Sequence, residues 1–252
     1  MDKRLIAGRF GKAIASYDNE AMIQRQIADK MVELLGRYLN PSCGNVIEVG
    51  CGTGLFSRSF LCQFQPGKLL LNDICPEMKT AFDGLLSEHI DFSAGDAECL
   101  EFPGKQDLIV SCSAIQWFVS PGRFFKRCHQ QLAEEGYLAF STFGKKNMEE
   151  VSAVTGHSLS YLSKEELEKK LETDYHLVWS EEEQITLRFN SPLDVLRHLK
   201  LTGVTAVQSR SWTKGDLFSF CNQYNEKFNS EGKVCLTYHP IYIIVKKKNN
   251  GK

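Results

Sequence analysis

A short apolar strand that runs directly into three glycines at alternate positions constrains this chain more than any other feature. Residues 46–54 read Val-Ile-Glu-Val-Gly-Cys-Gly-Thr-Gly, and a helical stretch at 55–64 follows. Glycine is required where a backbone must turn tightly and let a ligand approach the main chain itself. Strand, glycine turn and helix open a βαβ unit, and the pattern continues downstream. Residues 68–72, 90–94, 107–111 and 137–142 read as strands, and 76–86 and 121–132 as helices. Leu108-Ile109-Val110 is apolar without alternation, as expected of a strand covered on both faces. The spacing therefore predicts an α/β fold: a doubly wound, Rossmann-like sheet, mostly parallel, with right-handed crossovers.

The flanks extend this core. Ile23, Ile27, Met31, Leu34 and Leu35 recur at helical spacing, predicting a helix over 18–36. Beyond Phe143 the rhythm changes. Ser163 with Glu166 forms a capping-box phrase for a helix at 163–172, 175–189 reads as a strand, 192–201 and 214–229 as helices, and 234–245 as a last, antiparallel strand at the sheet edge. The reading is one domain over 1–252. Its core takes in 38–145, 174–189 and 233–247, with an N-terminal lid at 5–36 and a helical insertion at 190–230 covering the active site.

Apolar residues make up 42% of the 252, enough to bury a core without disulfides. A formal net charge of -1 supplies no bulk field for nucleic acid or an anionic membrane, and neither is expected as a partner. The nine cysteines include no C-x-x-C pair and no neighbouring histidine cluster, so no metal site is expected. Most sit in apolar runs as small hydrophobes, which points to a reducing compartment, the cytoplasm. No apolar run approaches the length of a membrane span.

The turn also restricts its ligand. A dinucleotide fingerprint would need glycine at 55, where Leu55 stands. Glu48, two residues before the first glycine, would repel a pyrophosphate but suits a cation carrying an ammonium and a sulfonium. Asp73 at the end of the second strand can accept ribose hydroxyls. Asp96 at the end of the third can accept from an adenine amino group, with the Ala97 N–H facing a ring nitrogen. Acids at the carboxyl ends of three successive strands define one crevice. Its candidate cofactor-binding set is Glu48, Gly50, Cys51, Gly52, Asp73, Ile74, Asp96, Ala97 and Ser111. Across about residues 40–145 this arrangement resembles the class I S-adenosylmethionine-dependent methyltransferases.

Four further phrases narrow the resemblance. They are Arg9-Phe10-Gly11-Lys12-Ala13-Ile14-Ala15-Ser16-Tyr17-Asp18 with the helix bearing Gln24, Ala114-Ile115-Gln116-Trp117, Leu138-Ala139-Phe140-Ser141-Thr142-Phe143-Gly144, and Leu196-Arg197-His198-Leu199-Lys200-Leu201-Thr202-Gly203-Val204. Over residues 5–247 the chain resembles the malonyl-acyl-carrier-protein O-methyltransferases of biotin synthesis, departing from them in a short loop at 145–148. The resemblance implies methyl transfer from S-adenosylmethionine to the free carboxylate of a malonyl thioester. That carboxylate is already ionised at neutral pH, so alignment and water exclusion are needed rather than a general base. Tyr17, Gln116 and Trp117 are the candidate catalytic residues, and Phe143, Arg197 and His198 the candidate substrate-binding ones. An acidic carrier protein, or coenzyme A in its place, would meet a basic rim drawn from Arg9, Lys12, Arg123, Lys126, Arg127, Lys145 and Lys146. A monomer is expected. Two other readings stand beside this one. A small-acid carboxyl methyltransferase of the trans-aconitate type would need several cations in its pocket, and a non-catalytic S-adenosylmethionine-binding protein would bind cofactor without transfer.

Overall fold

The computed structural model describes residues 3–203 and 212–249, the side chains at 4, 9, 12–16, 18 and 19 excepted. Two N-terminal helices, α1 (Lys3–Glu20) and α2 (Met22–Leu35), meet at Ala21, whose φ of -81° and ψ of 42° break the helix. The helix expected over 18–36 is thus two, with the joint where α1 turns away from the core. There follow β1 (Asn45–Val49), α3 (Leu55–Gln63), β2 (Lys68–Asp73), a 3-10 helix at Pro76–Phe82, β3 (Ile90–Ala94) and β4 (Gln106–Cys112). Next come a second 3-10 turn (Ile115–Trp117), α4 (Pro121–Gln131), β5 (Leu132–Phe143), α5 (Glu149–Thr155) and α6 (Lys164–Leu171). Then follow β6 (Tyr175–Glu182), β7 (Ile185–Phe189), α7 (Pro192–Leu201), α8 (Lys214–Phe228), β8 (Asn229–Ser230), β9 (Lys233–Tyr238) and β10 (Pro240–Lys247).

Seven strands form the main sheet in the order β3-β2-β1-β4-β5-β10-β6. β1 to β5 are mutually parallel, and β10 runs antiparallel to both β5 and β6. The antiparallel last strand lies toward this end of the sheet, one place in, with β6 outermost. Two expected strands divide. Residues 175–189 become β6 and β7, and 234–245 become β9 and β10, broken at His239. The detached halves pair as a small antiparallel sheet, β7-β9-β8. Lys246 and Lys247 end β10 and are held by Glu135 and the Leu132 carbonyl.

Strand pleating produces two cores. Val46, Leu108, Val110, Ala139, Tyr242 and Ile244 face α2 and α3, whereas Ile47, Ile109, Leu138, Phe140, Ile243 and Val245 face α4 and α6. On the first side Phe56, Phe60 and Phe64 stack along α3 at centroid spacings of 5.4 and 4.5 Å. That core continues without a break into Val195, Leu199, Phe220, Tyr224 and Leu236 of the later helices and small sheet. α6 starts with the predicted capping box, Ser163 and Glu166 exchanging bonds with each other's backbone N–H. Among the described residues no helix is long and apolar enough to cross a membrane.

Candidate active site

The carboxyl ends of β1, β2, β3 and β4 form one rim, and α1 roofs it. Gly50, Gly52 and Gly54 all take positive φ, +71°, +52° and +89°. At Gly50 a Cβ would lie 2.4 Å from that of Ala114, so packing alone demands glycine there; at Gly52 a Cβ would meet nothing within 4 Å. The Gly52 main chain therefore faces open cavity, as a ligand lying against bare backbone requires.

Strand parity decides what Glu48 does. It shares a pleat side with Val46 and so turns inward to α3, where the Ser57 hydroxyl donates to it at 2.5 Å. Burial, with a smaller push from the Asp73 charge, raises its carboxyl to about 8. Asp73 accepts the Gly52 N–H at 2.9 Å and the Cys75 N–H at 2.8 Å, so it braces the glycine turn as well as facing the cavity. Its pKa is also raised by burial, against the lowering effect of these amides. Two buried carboxylates and a bare backbone suit a cation with hydroxyl groups, and no metal-ligating cluster occurs among the described residues. Ile74, Cys51 and Ala97 line the same cavity. Asp96 does too, yet its oxygens lie 2.7 Å from the Lys3 ammonium, which also contacts Glu98. Ser111 does not join them. It is fully buried and its hydroxyl donates to the Val49 carbonyl at 2.9 Å, tying β4 to β1. The expected cofactor contact at Ser111 is therefore corrected to a strand cross-link.

A second chamber opens from the first across Phe10, Tyr17, Gln24, Ser113 and Trp117, which line both. Phe10 meets Trp117 edge-on at 5.7 Å and Tyr17 at 6.4 Å, forming an aromatic collar from α1 and the β4 loop. Gln116 and Phe143 line the chamber with Asn147, Met148, Leu159, Tyr161, Thr202 and Tyr238. Gln116 donates to the Ser113 carbonyl at 2.5 Å and accepts from Thr142 at 3.3 Å, which fixes its amide. Asn147 donates to the Tyr161 hydroxyl at 2.9 Å, and burial pushes that phenol up to about 12. Two polar atoms stand out: Gln24 Oε1 and Ser113 Oγ are buried without a hydrogen-bond partner. A buried hydroxyl left in that state costs free energy unless a ligand supplies the bond. Ser113 also holds a φ of +55°, uncommon for a residue with a Cβ and costly by about 1–3 kcal/mol where it occurs.

Tyr17, Gln116, Trp117 and Phe143 are thus brought together, whereas the two insertion residues are not. Arg197 is exposed on α7, 3.7 Å from Asp194, outside both cavities, and the expectation that it binds substrate is corrected. His198 is buried one layer behind the chamber, its Nε2 2.7 Å from the Tyr238 hydroxyl. Burial lowers its pKa against the nearby Glu20, keeping it neutral. It sets the Tyr238 ring in place and does not itself line the chamber. Of the basic rim, Arg127 turns inward to the carbonyls of Glu98 and Leu100, and Lys145 pairs with Glu166 at 2.9 Å. Arg123, Lys126 and Lys146 stay exposed, while the side chains of Arg9 and Lys12, like Val204 of the insertion phrase, lie outside the described residues. Sequence reasoning missed Ser113, Asn147 and Tyr161, and named Gln24 only as part of the N-terminal phrase, without a place in the site. The available signal was at Ser113, a polar residue directly after a buried strand and before the Gln-Trp pair.

Comparison with known proteins agrees with this geometry. A family model described as a methyltransferase domain matches residues 47–140. A malonyl-[acyl-carrier protein] O-methyltransferase of Bacteroides thetaiotaomicron is 51% identical, the match covering 98% of this chain and 99% of that one. Its counterpart in Haemophilus influenzae is 39% identical over 98% of this chain and 95% of its own. Among solved structures, a protein of Bacillus halodurans described as a methyltransferase superposes with a TM-score of 0.65 at 16% identity, covering 88% of this chain and 99% of that one. An N-methyltransferase of Bradyrhizobium japonicum, solved with S-adenosyl-L-homocysteine, gives 0.53 at 14% identity over 89% of this chain and 87% of its own. At these identities the structural likeness concerns the fold.

Proposed function

The chain belongs to the malonyl-[acyl-carrier protein] O-methyltransferase family, and from that premise we propose that its second chamber holds the free carboxylate of a malonyl thioester against the methyl end of the cofactor cavity. The enzyme is an S-adenosylmethionine-dependent carboxyl O-methyltransferase of biotin synthesis. When bound, S-adenosylmethionine would supply an electrophilic methyl on a cationic sulfur; as a carboxylate oxygen bonds to that carbon the C–S bond would break with its electron pair left on sulfur, so no proton need move.

The chain's own residues do the rest. Glu48 and Asp73 supply anionic charge to a cationic, hydroxyl-bearing ligand, and Gly52 gives it bare backbone. Asp96 reaches an adenine amino group in this reading while Lys3 shares its oxygens. Phe10, Tyr17 and Trp117 close the passage between the cavities and exclude water, which strengthens each polar contact inside. Ser113 donates to the carboxylate, and the second N–H of Gln116 points the same anion toward the collar. Neutral donors orient the nucleophile without quenching it as a tight arginine pair would.

The observation that carries this reading is the partnerless Ser113 hydroxyl at the junction of the two cavities. Among the described residues the chamber is lined by neutral side chains, which suits one carboxylate better than a tricarboxylate. The nine cysteines are free thiols, and we place the enzyme in the cytoplasm on that ground. Incubation with S-adenosylmethionine and malonyl-loaded carrier protein tests the reading. Intact mass should gain one methyl on the carrier, and the gain should be absent with acetyl-loaded carrier. Methylation of aconitate with an unchanged malonyl carrier would overturn it.

A further inference from the structure

A groove adjoins the acceptor chamber on its far side. Gln116, Phe143 and Tyr161 line both, and the groove is also lined by Ser120 and Gly122, at the start of α4, and by Lys170 on α6. We propose that this groove receives the phosphopantetheine arm of the acyl carrier and delivers its thioester to the chamber; this rests on the malonyl-thioester reading above.

The argument begins with topology. A malonyl group whose free carboxylate is buried beside the collar must trail its thioester in some direction. The side toward Tyr17 and Trp117 leads into the cofactor cavity, so the tether has to leave on the far side of the chamber. The groove opens there, and the three residues separating it from the chamber are shared by both. Two of them have fixed polar ends. The Gln116 amide is held between Ser113 and Thr142, and the Tyr161 hydroxyl is held by Asn147. A pantetheine chain carries two amides that need partners when leaving water, and Gln116 and Ser120 offer them along the path.

Charge supports the same direction. Lys170 is exposed and lines the groove with Gly122, while Arg123 and Lys126 are exposed on the same helix as Gly122. The arm ends in a phosphate attached to an acidic protein, and a cationic mouth attracts both.

Gly122 makes the proposal testable. A Cβ built there meets only the Lys170 side chain, at 3.9 Å, so a substitution starts without a backbone clash, and Gly122 lines the groove. The test compares malonyl-loaded carrier protein with malonyl-N-acetylcysteamine, which keeps the thioester and lacks the outer arm and phosphate. Gly122→Phe should raise KM for the carrier about tenfold while changing that for the short thioester less than about twofold. S-adenosylmethionine binding should stay as in the wild type. Lys170→Glu should raise the carrier KM alone, and the difference should shrink in high salt. If Gly122→Phe melts early, Ser160→Trp, at an exposed loop residue lining the same groove, carries the same expectation. Equal losses on both substrates, or no loss on the carrier, would overturn the groove assignment and leave the malonyl reading intact. A wild-type enzyme that methylates neither thioester would overturn that reading, and the groove with it.

Discussion

Ser113 and Glu48 show how burial changes what ordinary side chains can do. The Ser113 hydroxyl has no protein partner, so removing it leaves no donor or acceptor stranded. Ser113→Ala should therefore leave stability within about 0.5 kcal/mol while lowering kcat/KM for the malonyl carrier by about 1.5–3 kcal/mol of transition-state stabilisation, the worth of one hydrogen bond to an anion. Cofactor affinity, measured by calorimetry, should not change; a melting temperature that falls with unaltered turnover would reassign Ser113 to structure. Glu48 yields a pH signature. Its folded-state carboxyl lies near 8 against a reference of 4.5, so the empty protein carries an extra proton across that window and loses stability as pH rises through it. A cationic ligand prefers the ionised form. Binding at neutral pH should release a proton, and affinity should rise by about eightfold between pH 7 and 8.5 before levelling. Calorimetry in buffers of different ionisation enthalpy reads the proton directly, and Glu48→Gln should abolish both the release and that rise. Glu48, Asp73 and the glycines are legible in the sequence because strand, turn and helix place them by local rules. Gln24 and Tyr161 are not, because each reaches the chamber from an element whose approach only tertiary packing decides. His198 lies between these cases. It shares the buried side of α7 with Val195 and Leu199, a periodicity that already argues for burial.

At the scale of elements, α1 is the part whose position matters most to the site. Its first turn is tied to the strand tips through Lys3, which contacts Asp96 and Glu98 and lies 5.5 Å from the Phe118 ring. Farther along, Phe10 packs where a Cβ on Gly203 would come within 2.9 Å, so a small residue after α7 admits the helix. A half-buried ion pair of this kind is worth about 1 kcal/mol or less, which corresponds to about fivefold in the opening equilibrium. Lys3→Ala should speed cofactor dissociation by up to about that factor, seen in stopped-flow displacement, and the wild-type rate should approach the variant's as salt is raised. No change at low salt would mean that the aromatic collar alone holds α1. The break at Ala21 and the divided strands explain what sequence periodicity missed among the elements. Residues 175–189 keep strand-forming chemistry throughout. The chain switches sheets at 183–184 because β6 pairs with β10 and β7 with β9, a non-local choice that no window of sequence contains.

For the whole molecule, the question is whether the later helices and small sheet form a separate unit or part of one. The apolar contacts argue for one. Phe220 and Tyr224 of α8 and Leu236 of β9 belong to the same buried cluster as Val46, Phe60 and Tyr242 of the main sheet. His198 on α7 closes on Tyr238, two residues before the chain enters the main sheet at β10. We propose that the described residues on either side of this junction unfold together. Phe220 is 3% exposed and packs on Trp212 at 5.0 Å and Tyr224 at 5.2 Å, so Phe220→Ala should cost about 3–5 kcal/mol. If the cluster is one cooperative core, that loss shifts the whole transition: far-ultraviolet dichroism, which follows the main sheet and its helices, and tryptophan fluorescence, to which Trp212 contributes, should move to lower denaturant together and keep a common midpoint. A separate insertion behaves otherwise. The fluorescence change would come first, the dichroism would hold near its wild-type midpoint, and S-adenosylmethionine would still stabilise the second phase, because Glu48, Asp73 and the glycine turn all lie outside the insertion. In the cooperative case the cofactor raises the single midpoint of Phe220→Ala by the same increment as in the wild type, since binding is linked to the folding of every residue in the core.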